Sequence, residues 1–160
     1  DKVVEKQKEL EVLLARCLQT GDVEIYYEAD EEFNTYSYKT KSNKYIILIS
    51  SKTISDEIRY IDADNPLGRL RLFQERIDEL EYSVNHRNNK WYIQTNTGNS
   101  KNFKLMICDE GKTSLQNWKE FIKHRENILV ESVEVFNDYL VITERENGQR
   151  RFNVLLQQRS

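Results

Sequence analysis

With one proline and five glycines in 160 residues, the chain has too little breaker-rich or low-complexity sequence for a disordered linker or a collagen-like repeat. Cysteine is equally scarce. Cys17 and Cys108 stand far apart, with no CxxC and no Cys/His spacing; this excludes a disulfide framework or a zinc ribbon and leaves two reduced structural thiols as the expectation. No apolar run approaches the roughly 18 residues of a membrane span, so no membrane partner is expected. The opening residues Asp1-Lys2-Val3-Val4-Glu5-Lys6 lack the apolar core of a secretion signal, and the expected location is the cytoplasm. Basic excess is missing too: 24 Lys and Arg stand against 27 Asp and Glu, for a net charge of −3. The positive residues are dispersed instead of forming a stripe, so no nucleic-acid partner is expected.

Catalytic signatures are also absent. The sequence has no GxSxG elbow, and none of its glycines lies in a GxGxxG or Walker arrangement. His86 and His124 fall in what read as polar connections, Asn85–Asn89 and Lys123–Asn127. A histidine beside an arginine in such a setting is more often a hydrogen-bonded loop residue than a base, and without HxH or HExxH it is no metal ligand. The carboxylates Asp62, Asp64, Glu79, Glu81, Glu131, Glu134, Asp138 and Glu144 are spread over different connections and strands, and most are expected to be solvated or ion-paired. Glu144 and Arg145 are neighbours on a strand and must point to opposite faces, so only one can be buried there. The sequence therefore assigns no catalytic, cofactor-binding or metal-binding residue and implies no cofactor.

What the chain does contain is a repeat. Phe33–Tyr36, Asn43–Ile49 and Ile58–Asp62 form a first unit; Tyr82–Asn85, Asn89–Thr95 and Phe103–Ile107 a second; Val133–Phe136, Asn137–Thr143 and Phe152–Leu156 a third. Tyr45 to Trp91 is about 46 positions, Trp91 to Tyr139 about 48 and Phe103 to Phe152 about 49, within the range of β-propeller blades. Each unit has an aromatic-led second strand after an Asn-containing turn, then a third strand that opens apolar. Three such units are too few to close a propeller, whose closure takes about four to eight blades, and open sheet edges at both ends would favour self-association.

Residues 1–20 differ. Val3, Leu10, Leu14 and Cys17 fall at helical spacing among charged residues, predicting an amphipathic helix stopped near Gly21. From Val23 to Tyr27 apolar and polar residues alternate, which predicts a strand. Ile61–Gly68, with the only proline, reads as a loop before a strand-like Leu70–Phe73. Asn96–Ser100 reads as a turn, Trp118–Ile122 as an outer strand, and Asn147-Gly148 as a tight hairpin. The expected fold is all-β, a partial β-propeller of about three blades over residues 21–160, preceded by the helix of residues 1–20.

A family likeness runs through the same residues. The segments Ser55–Asp64, Glu81–His86, Asn102–Leu105, His124–Leu129 and Val135–Val141, with Glu144-Arg145 and Gly148, resemble in order the N-terminal β-propeller of oligopeptidase B, also called protease II, in the prolyl oligopeptidase family of serine peptidases. Residues 1–20 lie outside the likeness. The resemblance implies a cytosolic peptidase in which an α/β-hydrolase domain carries Ser, Asp and His while a seven-bladed propeller covers the site and filters substrates by size. It also implies short basic peptides, cleaved after Lys or Arg, as substrates. The implied partners of this chain are the hydrolase domain and the remaining blades. No catalytic residue carries over to this chain, which alone is expected to be inactive. The alternative reading is a non-catalytic, propeller-like interaction module that docks a protein or peptide on a blade face.

Overall fold

The structure is a computed structural model and describes residues 21–156. The helix expected over residues 1–20, together with Cys17, lies outside the described residues. The chain divides into two units, Asp1–Asp30 and Glu31–Ser160. In the first, residues 22–30 carry no regular structure, so the strand expected at Val23–Tyr27 does not form. Alternation marks a side-chain pattern but does not supply a ladder partner. Local polar bonds shape this segment instead: the Tyr26 hydroxyl donates to Glu28 Oε2 at 2.7 Å, and the Asp30 amide to Glu28 Oε1 at 3.1 Å.

The second unit consists of three antiparallel sheets, each a meander in chain order. Sheet 1 contains β1 (Asn34–Lys39), β2 (Tyr45–Lys52), β3 (Ser55–Asp62) and the two-residue β4 (Arg71–Leu72). Sheet 2 contains β5 (Tyr82–Arg87), β6 (Lys90–Thr95), β7 (Lys104–Asp109) and β8 (Lys119–Ile122). Sheet 3 contains β9 (Ile128–Val135), β10 (Tyr139–Glu146) and β11 (Gln149–Leu156). These are the three predicted units, with the outer strand of the second in place.

Local chemistry sets the registers. A two-residue type I′ hairpin needs positive φ at both central residues. Asn88 and Asn89 supply 48° and 59° between Arg87 and Lys90, and Asn147 and Gly148 supply 50° and 76° between Glu146 and Gln149. One consequence corrects the sequence reading. Because two asparagines complete the β5–β6 turn by themselves, the strand continues through His86 and Arg87, which are buried strand residues and not part of a polar connection. His124 does lie in the connection between β8 and β9.

Packing is between sheets, and the middle sheet is covered on both faces. Tyr45, Ile47, Ile58, Tyr60 and Phe73 of sheet 1 and its flank meet Tyr82, Val84, Trp91 and Ile93 of sheet 2, with Trp118 just before β8, in one core. On the opposite face of β6 and β7, Tyr92 and Leu105 meet Val130, Val133, Val135, Leu140 and Ile142 of sheet 3. Alternation along β6 therefore sends Trp91 and Ile93 one way and Tyr92 the other. Among the described residues, sheet 3 is covered on one face in this manner: Phe152, Val154 and Leu156 share the other face of β11 and are 68%, 57% and 81% exposed.

Candidate functional site

The first strands of the three sheets, β1, β5 and β9, share the wall of one open cavity of about 540 Å³. Tyr36, Tyr38, Ser83, Asn85, Glu131 and Val133 are among its lining residues. In a propeller meander this is the position of the strands nearest the central channel.

Side chains tie the three strands together across the sheet boundaries. The Tyr38 hydroxyl donates to the Val84 carbonyl at 2.5 Å, and burial pushes its ionisation far above the ordinary phenol range. The Asn85 amide donates to the Val133 carbonyl at 3.0 Å, and Gln94 donates to Val130 at 2.8 Å. Deeper in the seam between sheets 1 and 2, the Tyr82 amide donates to Asp56 Oδ2 at 3.0 Å, while the Tyr82 hydroxyl accepts the Ile58 amide at 3.0 Å. Each bond satisfies a backbone group at a place where no ladder can reach it.

The wall is charged and partly ion-paired. Asp56, Glu81, Glu131 and Glu134 line it together with Lys39 and Lys41. Glu134 pairs with Lys41. Glu131 accepts from Arg145 at 2.5 Å and Arg150 at 2.6 Å, and these two bonds hold its carboxyl below the ordinary glutamate range. Asp56 goes the other way: burial raises its pKa, while bonds from Ser51 and the Tyr82 amide oppose the shift.

That direction fixes a pH dependence. A carboxyl whose folded pKa is raised binds more protons folded than unfolded, so its contribution is fully present below the unfolded pKa and is lost as pH rises through the folded one. Asp56→Asn, which keeps an acceptor for the Tyr82 amide, is expected to flatten the pH dependence of stability above the unfolded aspartate pKa, and to be at least as stable as the parent at pH 7. Urea midpoints at pH 4 and pH 7 check this; an unchanged pH slope in the variant would show that Asp56 is not its source.

Of the eight carboxylates singled out in the sequence, the structure brings Glu81, Glu131 and Glu134 to the cavity and buries Glu144 beside Arg125. Asp62 ends β3 and Asp64 lies in the connection between β3 and β4, Glu79 in the connection before β5 with φ of 62°, and Asp138 in the turn between β9 and β10. Glu144 is 6% exposed while Arg145 reaches Glu131, so the expected division across the strand holds. Asp56 and Tyr38, which anchor the seam, carried no motif. Asp56 does lie within the likeness segment Ser55–Asp64, whereas Tyr38 had only its place in a strand to suggest it.

Neither histidine sits in a nucleophilic arrangement. His124 Nε2 accepts the Asn102 amide at 3.3 Å. His86 lies between Tyr45 and Trp91, with ring centroids 4.9 and 4.7 Å away, and its Nδ1 is 2.9 Å from Ser42 Oγ. Burial and the nearby Lys44 lower its pKa to about 4, which makes it a poor base for activating Ser42 at neutral pH. Cys108 is buried, and burial pushes its thiol up to about 12, so it lacks the thiolate character of a reactive cysteine.

Comparison with known proteins places this geometry. The family described as the prolyl oligopeptidase N-terminal β-propeller domain matches residues 14–159. The chain is 35% identical over 128 residues to protease 2 of Moraxella lacunata, covering 80% of this chain and 18% of that protein. It is 30% identical over 134 residues to dipeptidyl aminopeptidase BI of Pseudoxanthomonas mexicana, covering 84% of this chain and again 18% of the relative. Among solved structures, oligopeptidase B from Leishmania major superposes with a TM-score of 0.80 at 25% identity, over 88% of this chain and 20% of that one. The chain thus spans about a fifth of the length of these relatives.

Proposed function

Because the chain belongs to the family of prolyl oligopeptidase N-terminal β-propeller domains, we propose that it forms part of the wall of a substrate-filtering chamber in a larger serine peptidase. The observation that carries this reading is the shared wall of β1, β5 and β9, cross-tied by Tyr38 and Asn85 and braced from β6 by Gln94. A wall stitched between sheets resists the separation of blades that would admit a folded protein, whereas a short extended peptide can pass along it. The triad belongs to a hydrolase domain elsewhere in the whole protein.

Short peptides cleaved after Lys or Arg are the substrates we assign to that protein. Tyr36, 54% exposed in the lining, supplies an aromatic ring suited to an alkylammonium or guanidinium group, and carboxylates lie on the same surface. The compartment we assign is the cytoplasm.

The test is to read the gene on both sides of this segment and assay the full-length product on Lys-amide and Arg-amide peptides. A GxSxG elbow with later Asp and His, and cleavage after basic residues, is the expected result. The 160-residue chain alone is expected to show no turnover, and hydrolysis that tracks this polypeptide would overturn the assignment of the triad to another domain. One observation favours the alternative of a non-catalytic interaction module, namely the exposed apolar face of β11. A full-length gene with further blades and no hydrolase domain would establish that reading instead.

A further inference from the structure

The turns joining β1 to β2, β5 to β6 and β9 to β10 converge on a second cavity, of about 290 Å³, distinct in its lining from the wall above except for Lys41. Lys41, Lys44, Ser42, His86 and Arg87 face it. The two lysines already have anionic partners: Lys41 pairs with Glu134, and Lys44 with Glu110 at 2.5 Å. Arg87 does not. It is 7% exposed, and its Nε and Nη1 are buried with no hydrogen-bond partner among the described residues. An arginine cannot shed its proton to escape such burial as a lysine can, and its N–H groups donate in a fixed planar fork. A buried cation with unmet donors, set into the lining of a cavity, is an incomplete half of a charge-assisted pair.

The surroundings favour one kind of missing half. His86 Nε2 is likewise buried and without a hydrogen-bond partner, and Glu110 Oε1 lies 3.9 Å from it, too far for a hydrogen bond. Ser42 contributes a hydroxyl, 2.9 Å from His86 Nδ1. The donors thus outnumber the acceptors, and with each lysine paired to a carboxylate the arginine supplies the uncompensated positive charge. We propose that this cavity binds a small oxyanion, a carboxylate or phosphate group, seated on the Arg87 guanidinium with Ser42 and the His86 ring beside it. The site is independent of the peptidase reading, since it needs only the three turns.

The experiment is a titration of the full chain with sodium phosphate and, separately, sodium acetate at constant ionic strength, followed through the Nε–H resonance of Arg87 and the ring resonances of His86. A saturable one-site shift is expected. It should weaken about tenfold or more in Arg87→Met and less in Arg87→Lys, which keeps the charge but loses the planar fork; Lys112→Met, on an exposed turn, should leave it unchanged. Saturation by phosphate alone identifies a phosphate site, and saturation by acetate as well identifies a carboxylate site. No saturation by either anion, or an undiminished shift in Arg87→Met, overturns the proposal. If the methionine variant does not fold, the Arg87→Lys and parent titrations decide: equal affinities would overturn it equally.

Discussion

Trp91→Ala is expected to lower the free energy of unfolding by about 3–5 kcal/mol, the range for truncating a large buried aromatic. Trp91 is fully buried at the start of β6 and touches four rings: Tyr45 at 5.0 Å, Tyr60 at 5.3 Å, Phe73 at 5.2 Å and His86 at 4.7 Å between centroids. Its indole N–H donates to the Glu110 carbonyl at 3.1 Å. Three of those rings belong to sheet 1 or its flank, so the truncation removes packing between sheets and leaves the Glu110 carbonyl short of a donor. Against the roughly 5–15 kcal/mol of a typical domain, this loss is a large fraction of the total stability. Leu67→Ala, at a position 71% exposed, should stay within about 0.5 kcal/mol of the parent. Urea unfolding followed by far-UV circular dichroism measures both. A loss below about 1 kcal/mol for Trp91→Ala would mean that the seam between sheets 1 and 2 does not carry the stability assigned to it here.

The legibility of the fold followed burial. Strand β10 reads clearly because Leu140 and Ile142 face sheet 2 while Val141 and Thr143 alternate with them, and Asn147-Gly148 marks its turn without reference to any other part of the chain. In β6, three successive residues, Trp91, Tyr92 and Ile93, are buried. A sheet sandwiched on both faces loses its two-residue period, and only the spacing between repeats identifies such a strand. The 23–27 segment shows the converse error, an alternating pattern with no ladder. His86 and Arg87 read as a connection because polar residues next to Asn-Asn suggest a long polar turn. The type I′ geometry compresses that turn to two residues and carries both side chains into the interior.

The cavity wall was less legible than the fold for a related reason. Its defining bonds join a side chain on one sheet to a backbone group on the next, such as Tyr38 to Val84 or Asn85 to Val133. Neither partner of such a bond has a fixed sequence offset from the other. A repeat of blades predicts that the first strands converge. It does not predict which polar residue bridges them, because that depends on the twist and stagger between neighbouring sheets.

Removal of the arginine at the junction of sheets 2 and 3 is the second large effect. Glu144 is 6% exposed in β10, at a register shift between Thr143 and Glu144 that alters its pairing with β9. It is held by Arg125 from the connection before β9 and by Asn153 Nδ2 at 2.6 Å from β11. Arg125→Met leaves a buried carboxylate with only the asparagine. Breaking a fully buried pair in this way costs about 3–5 kcal/mol, and the partial exposure of the Arg125 side chain, 38%, reduces the expected loss to about 2–3 kcal/mol. The same reasoning sets the double variant apart. Arg125→Met with Glu144→Met removes both charges and fills the space with apolar volume, so most of the loss should be recovered, and the double variant should be more stable than Arg125→Met alone. A double-mutant cycle in urea separates the two accounts. Recovery shows that the pair's partners mainly satisfy each other, and additive losses would show instead that Arg125 supports the junction through its packing, independently of Glu144.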